Sequence, residues 1–231
     1  MFLTKYFSVV SNPIFIMIIR LREALESIIK PLVNSGLSCL DVGCGERPYE
    51  YLFKNAKYTG LDIEDSGRPI NMKKPDFFYD GDQFPFHDEE FDMVICTQVL
   101  EHVPNPLLLL QEMARVCKRG GGVVVSLPFV YPEHERPFDY FRFSRFGITE
   151  LMEKAGFKIE TMKRDSSTIE TLAILINVYI VTNLVPRFRG IGRLYTIFLC
   201  FPIQLTALIL TRLLPDKGNL YLNLIVYARK I

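Results

Sequence analysis

Asp41, Gly43 and Gly45 close a short apolar run in "LDVGCGERPYEYLF", residues 40–53, and Asp62 closes a second such run twenty-one positions after Asp41. Glycines at a strand end let backbone come close to a ligand and permit dihedrals that a Cβ would forbid. A carboxylate at the end of the second run can accept hydrogen bonds from two ribose hydroxyls. A dinucleotide fingerprint starts the same way, but it needs a third glycine three residues after the second, and that position is Pro48. A pyrophosphate cradle, and with it a nicotinamide-dependent oxidoreductase, is therefore disfavoured. A smaller ligand with one carboxylate and one adenosine fits.

A second stretch, "YPEHERPFDYFRFS", residues 131–144, crowds His134, Arg136, Asp139, Tyr140 and Arg142 into one loop. An imidazole titrates near neutral pH, so His134 is the candidate general base, with a structural bond to Asp139 as the alternative. Arg136 and Arg142 could clamp a phosphate or carboxylate, with salt bridges to Glu133 or Asp139 as the ordinary alternative. His102, in "LEHV", reads as a helix-start residue supporting a pocket wall, and His87, in a turn rich in acids, as solvated. The five cysteines form no CxxC pair, and no histidine stands at zinc-ligand spacing. They read as reduced packing residues in a cytosolic protein, and no metal site is expected.

Alternating strand-like and helix-like runs must position these residues. "LSCLDV" reads as a first strand, "PYEYLFKN" as a helix, "KYTGLDI" as a second strand, "DFFYD" as a third and "FDMVICTQV" as a fourth. "NPLLLLQEMARVCKR" is a helix with Asn105 as its cap and Pro106 in the first helical position, and "GGVVVSLPF" is a fifth strand. "FGITELMEKAG" is a helix closed by Gly156, "FKIETMK" a sixth strand, and "LYLNLIVYARK" has strand composition. The pattern predicts an α/β fold: a doubly wound, mainly parallel, seven-stranded sheet with an apolar helical insertion before the last strand. Ligands of such sheets bind outside the carboxyl ends of the strands, where the chain order switches. The helix after Gly45 would add unpaired N–H groups and a positive dipole end.

At these residues the chain resembles the class I S-adenosylmethionine-dependent methyltransferases (type 11-like). "LDVGCG" is similar to their first motif and "TGLDIED" to their acid-tipped second strand. "YDGDQFPFHDEEFDMVICTQVLEHVPNP" resembles the stretch from their adenine contact to a Glu-His pair, and "LLLLQEMARVCKRGGGVVVSLP" the helix and strand that follow. The resemblance covers about residues 35–163. It implies S-adenosyl-L-methionine as cofactor, with Asp41, Gly43 and Gly45 at its methionine end, Asp62 on the ribose and Ile63 beside the adenine. Asp80 would receive the adenine amino group, Gly81 would offer an N–H at the ring edge, and Gln98 would lie under the sulfonium. Asp80 and Asp82 also read as turn formers around Gly81. The loop at 131–144 would then lie over the methyl group, with His134, Asp139 and Tyr140 catalytic and Arg136, Arg142 and His102 on the acceptor. Its spacing resembles a subgroup associated with bacterial surface-polysaccharide and lipid-linked sugar pathways.

The 231 residues are 49% apolar and 23% charged, with a formal charge of +1, which fits a globular domain. Residues 165–231 carry seven Lys/Arg and three Asp/Glu, so the basic excess sits in the most apolar third. That pairing suggests a membrane surface, and no nucleic-acid partner. The apolar N-terminus lacks the basic and small-residue parts of a signal peptide and runs on into an amphipathic helix carrying Leu21, Leu25, Ile28 and Ile29. Within 168–214, Thr196, Cys200, Gln204, Ala207 and Thr211 form a small, more polar stripe. Arg187, Arg189 and Arg193 at the hairpin tip oppose a spanning pair under the positive-inside rule and favour an interfacial hairpin, with a pocket cap as the rival. The expected organisation is an N-terminal helical segment (1–34), a cofactor-binding core (35–164), an apolar insertion (165–218) and a last core strand (219–231). The expected protein is cytoplasmic, peripheral at the membrane surface, and methylates oxygen or nitrogen of a small-molecule, sugar or lipid-linked acceptor. The alternative is an inactive cofactor-binding, membrane-associated interaction protein.

Overall fold

The structure, a computed structural model, describes residues 12–64, 69–184, 192 and 194–231. Helix α1 (Phe15–Ile29) precedes β1 (Ser38–Val42), β2 (Lys57–Ile63), β3 (Phe77–Tyr79) and β4 (Phe91–Thr97). Then come α2 (Pro106–Val116), β5 (Cys117–Pro128), α3 (Arg145–Lys154), β6 (Phe157–Arg164), α4 (Thr168–Tyr179), α5 (Phe201–Leu213) and β7 (Asn223–Lys230). The strands form one seven-stranded sheet in the order β3-β2-β1-β4-β5-β7-β6. β1 pairs parallel with β2 and β4, β2 with β3, and β4 with β5, while β7 runs antiparallel to β5. This is the doubly wound methyltransferase-type arrangement, and the order reverses between β1 and β4.

Residues Cys39–Val42, Met93–Cys96, Val123–Leu127 and Leu224–Ala228 are almost wholly buried, as continuous apolar strands covered on two faces must be. Asn105 caps α2 by accepting from Leu108 N, and Pro106 takes the first helical position, where its missing N–H costs nothing. The helix stops at Val116, three residues short of the sequence expectation, because Cys117 turns extended and pairs with Phe91. Gly156, at φ +90°, closes the turn after α3.

One expected element is absent among the described residues. "PYEYLFKN" makes only a 3₁₀ turn, Glu50–Phe53, with no side-chain cap at Tyr49. The backbone bonds here join residues three apart, Glu50 N to Arg47 O, Leu52 N to Tyr49 O and Ala56 N to Phe53 O, so no α-helical turn forms. No α-helix N-terminus therefore lies between the Gly43–Gly45 loop and β2 among the described residues, and a ligand there would meet individual N–H groups and carboxylates.

The chain divides into two compact units, one of residues 25–163 with 223–231, the other of residues 1–24 with 164–222. The first holds the sheet. In the second, α4 continues as a π-helical stretch, Ile180–Leu184, and a second π-helical stretch, Thr196–Cys200, leads into α5. Ser167 and Glu170 form a capping box on α4. Arg187, Arg189 and Arg193 lie outside the described residues.

Candidate active site

The switch point places the ends of β1 and β4 side by side, with Asp41 opposite Ile95 and Val42 opposite Cys96. Beyond Val42 the chain turns through Gly43 (φ +71°) and Gly45 (φ +51°). Gly43 N and Cys44 N donate to Leu61 O at 2.8 and 3.1 Å, folding the loop onto the end of β2. A Cβ on Gly43 would stand 2.4 Å from Val99 Cγ2, so both space and dihedral exclude a side chain. Gly45 N donates to Asp62 Oδ2 at 2.9 Å, and Ile63 N to Asp62 Oδ1 at 2.8 Å.

Asp41 is buried, and its Oδ2 accepts the Tyr58 hydroxyl. Its Oδ1 is buried with no hydrogen-bond partner among the described residues, and burial pushes the carboxyl up to about 7. A buried acceptor without a donor is costly, so this atom is placed to receive a ligand's N–H or O–H. Lys73, also buried, sends its Nζ to Ile63 O at 2.5 Å and Glu64 O at 3.0 Å, and stands 3.7 Å from Asp62 Oδ1. Arg47 bonds Asp76 Oδ2 at 2.6 Å, and that oxygen also accepts Gly60 N, bracing the loop against β2. Neither Lys73 nor Arg47 stood out in the sequence, where each is one cation among many.

Asp80 lies in an exposed turn and accepts Asp82 N at 3.1 Å, which is the turn-forming geometry, while Gly81 takes φ +103° beside open space. Gln98 stands just past β4 at φ +55°, a left-handed conformation unusual for a side chain of its size. Its amide nitrogen is 3.3 Å from Ser126 Oγ, and its backbone N–H donates to Ser126 O.

The loop after β5 is built around Asp139, whose carboxylate receives both Arg142 nitrogens at 2.6 and 2.8 Å and His134 N at 2.9 Å. The Arg142 guanidinium holds that carboxyl well below the usual carboxylate range. Arg142 further donates to Tyr131 O, Pro132 O and Phe141 O, so its donors are spent on the loop. The expected acceptor clamp at Arg142 gives way to the salt-bridge alternative, because without it the buried Asp139 carboxylate would lose its guanidinium counter-charge. Arg136 pairs with Glu133 at 3.3 Å on the surface, also the ordinary alternative. Tyr140 is exposed, with its N–H on Glu101 O. His134 Nδ1 lies 3.2 Å from Asp139 Oδ2 and 3.3 Å from Pro132 O, and burial lowers its pKa below the ordinary histidine value.

His102 sits in a 3₁₀ turn, Leu100–His102, with its ring 4.8 Å from the His134 ring. Its neighbour Glu101 is fully buried, and neither carboxylate oxygen accepts a hydrogen bond among the described residues. Burial pushes that carboxyl up to about 8. The sequence offered no sign of this, since only the turn folds Glu101 beneath the loop. An open groove lined by Lys57, Thr59, Phe86 and His87 lies by the starts of β2 and β4, away from the switch point.

Fold and site together define a switch-point ligand-binding domain of the methyltransferase type. The chain matches the family described as methyltransferase domain over residues 17–162 and belongs to it. S-adenosyl-L-methionine is the methyl donor in this family. The chain is 30% identical over 132 residues to an uncharacterized protein of Methanocaldococcus jannaschii, covering 52% of this chain and 63% of that one. It is 32% identical over 105 residues to a ubiquinone biosynthesis O-methyltransferase of Dechloromonas aromatica, covering 40% and 44%. An S-adenosylmethionine-dependent methyltransferase from Mesorhizobium loti superposes with a TM-score of 0.52 at 16% identity, covering 88% of this chain and 96% of that one. The chain spans about half the length of the curated relatives it matches.

Proposed function

We propose that the protein transfers the methyl group of S-adenosyl-L-methionine to an oxygen or nitrogen of a small-molecule, sugar or lipid-linked acceptor. The observation that carries this reading is the partnerless Oδ1 of buried Asp41 beside the Gly43–Gly45 turn, with Asp62 one strand away. An ammonium donor suits the first, and the second lone pairs of the Asp62 oxygens suit ribose hydroxyls. With the cofactor bound, Ile63 would pack beside the adenine, Gly81 would offer its N–H at the ring edge, Asp80 would receive the amino group, and Gln98 would lie under the sulfonium. The bound cofactor supplies an electrophilic methyl group for in-line displacement. The chain's part is largely placement, which can contribute roughly 7–11 kcal/mol. His134, held by Asp139 and kept neutral by burial, offers a lone pair for the acceptor's proton, and His102 and Tyr140 border the acceptor.

Calorimetry with S-adenosylmethionine, its demethylated product and NAD tests the cofactor. Binding of the two sulfur ligands and not NAD is expected, and NAD binding alone would sink the reading. Asp62→Ala should weaken cofactor binding by about 1–3 kcal/mol, the scale for leaving buried polar partners unsatisfied. A labelled-methyl screen of sugar and lipid extracts then identifies the acceptor. Cofactor binding without transfer to any extract would favour the inactive, interaction-protein alternative.

The lipid part of the proposal is supported by the polarity of the second unit. Gln204 and Asn177 are buried, with Gln204 Oε1 accepting Ile16 N at 3.1 Å and Asn177 Nδ2 donating to Pro13 O and Cys200 O. Glu170 is buried against Arg20 at 2.6 Å. Meanwhile Phe198, Leu205, Ile209 and Leu213 on the other side of the stretch are exposed. Polar groups inside and large apolar ones outside suit a hydrocarbon boundary. Thr196–Leu213, of mean hydropathy 1.7, is also long and apolar enough to cross a membrane. We favour peripheral attachment at the cytoplasmic surface, with Arg187, Arg189 and Arg193 each adding about 1 kcal/mol of attraction to anionic headgroups. The protein should sediment with liposomes, more strongly with anionic lipid, and high salt should weaken this only partly. Protection of residues 186–193 from protease in sealed inside-out vesicles would show crossing instead, and no binding to any liposome would leave a protein-covering role.

A further inference from the structure

We propose that Glu101, His102 and His134 form a site for a divalent first-row transition ion. One potential ligand atom from each lies within 4.8 Å of those of the other two. His102 Nδ1 is 2.5 Å from Phe138 O, and a carbonyl can only accept, so Nδ1 carries the hydrogen. Nε2 of the neutral ring therefore keeps a lone pair, oriented by a backbone carbonyl as metal-ligating histidines commonly are.

That lone pair faces Glu101 Oε1 at 3.8 Å and Glu135 Oε2 at 3.8 Å. A proton on Nε2 could not serve either carboxylate, because 3.8 Å is beyond hydrogen-bond reach. An ion fits the gap. With bonds of about 2.1 Å, two ligands of one tetrahedral ion stand about 3.4 Å apart, so the longest separation in the group must close by up to about 1.4 Å, which side-chain rotation can supply. Both Glu101 oxygens are fully buried and accept no hydrogen bond among the described residues, a costly state that a cation would relieve.

His134 completes the set. Its Nδ1 lies 3.3 Å from Pro132 O, 3.2 Å from Asp139 Oδ2 and 3.4 Å from Arg142 Nη2, and that guanidinium nitrogen donates more closely to Pro132 O and Asp139, so Nδ1 is assigned the hydrogen and Nε2 is left for a ligand. Tyr131 packs edge-on against its ring, at 5.4 Å between centroids, and Arg142 fixes the Asp139 behind it. Two imidazoles and one carboxylate favour zinc, manganese, cobalt or iron over magnesium or calcium, which prefer all-oxygen sets. The three residues stand on the turn after β4 and the loop after β5, two connections that folding alone brings together. No spacing rule on the sequence could register a pair of histidines so far apart.

Ion binding stands by itself, while its catalytic meaning rests on the acceptor-loop reading above. With the ion bound, His134 acts as a ligand, and an acceptor hydroxyl on an open coordination position is made more acidic by the ion's charge.

The test is titration of the metal-free protein with Co²⁺ or Mn²⁺ alone, without cofactor or acceptor, by calorimetry and, for Co²⁺, by visible absorption. We expect one ion per chain and a cobalt spectrum without thiolate charge-transfer bands, because no cysteine belongs to the set. Glu101→Gln, which keeps size and shape, should weaken binding at least about tenfold while circular dichroism stays unchanged. His134→Ala, on a surface loop, should weaken it similarly and serves if the buried variant does not fold. Absence of saturable binding, or tight binding indifferent to both substitutions, overturns the site. Failure of methyl transfer with intact ion binding would count against the functional reading and not against the site.

Discussion

His134→Ala is expected to lower methyl transfer to a hydroxyl acceptor by about 10²–10⁴-fold at neutral pH, the usual contribution of one positioned proton acceptor, with cofactor affinity unchanged. The geometry singles out this ring. Nδ1 is occupied by Asp139 and Pro132 O, leaving Nε2, and the side chain keeps 29% exposure, enough for an acceptor to reach it. Burial lowers its pKa, outweighing Asp139, which raises it. The required form is the neutral ring, so turnover should be full above that lowered pKa and fall as pH drops through it, with the acid limb below the ordinary histidine value near ~6.5. The limb is the same whether the lone pair takes a proton or an ion; sensitivity to chelators separates the two. Turnover of the variant equal to the parent across pH would reduce His134 to a strut of the loop.

Gly43→Ala should destabilise the protein by about 2–5 kcal/mol, combining about 1–2 kcal/mol for a Cβ in the left-handed region with about 1–3 kcal/mol of overpacking. The neighbour is Val99, whose Cγ2 would be 2.4 Å away and whose branched side chain has little rotamer freedom to yield. Val99→Ala in the same chain should recover the packing part and leave the backbone part, so the double variant is less destabilised than the two single effects added. Urea unfolding of the four proteins measures this. A loss within ~0.5 kcal/mol for Gly43→Ala, the range of an ordinary surface change, would mean that the turn relaxes freely and is no rigid cradle.

Much of the core was legible from local pattern. Lys57–Ile63 folds as the second strand at the bounds its composition suggested, and Asn105–Pro106 starts α2 as the capping pair required. Both depend on contacts within a few residues, which a sequence displays directly. The missing helix after Gly45 was not legible in that way: residues 48–55 have helical composition, but the backbone bonds there join residues three apart and make a single 3₁₀ turn. The stripe of Thr196, Cys200, Gln204, Ala207 and Thr211 was visible, and the structure adds that its first four members are buried and Thr211 half-buried against Ser167 while Phe198, Leu205 and Ile209 face out.

Sequence alone located the Gly43–Gly45 turn and Asp41 and Asp62 near strand tips, and through them the class of fold and donor. These are properties of single strands and their termini, where residue type and spacing carry the physics. Tertiary structure alone decided which polar groups are spent and which remain open. Arg142, a plausible clamp as a lone letter, is consumed by Asp139, whereas Glu101, in sequence no more than half of a Glu-His pair, is left buried without a donor among the described residues beside His102 and His134. Hydrogen-bond satisfaction and desolvation depend on every group that packs around an atom, and those neighbours come from parts of the chain that only the fold brings together.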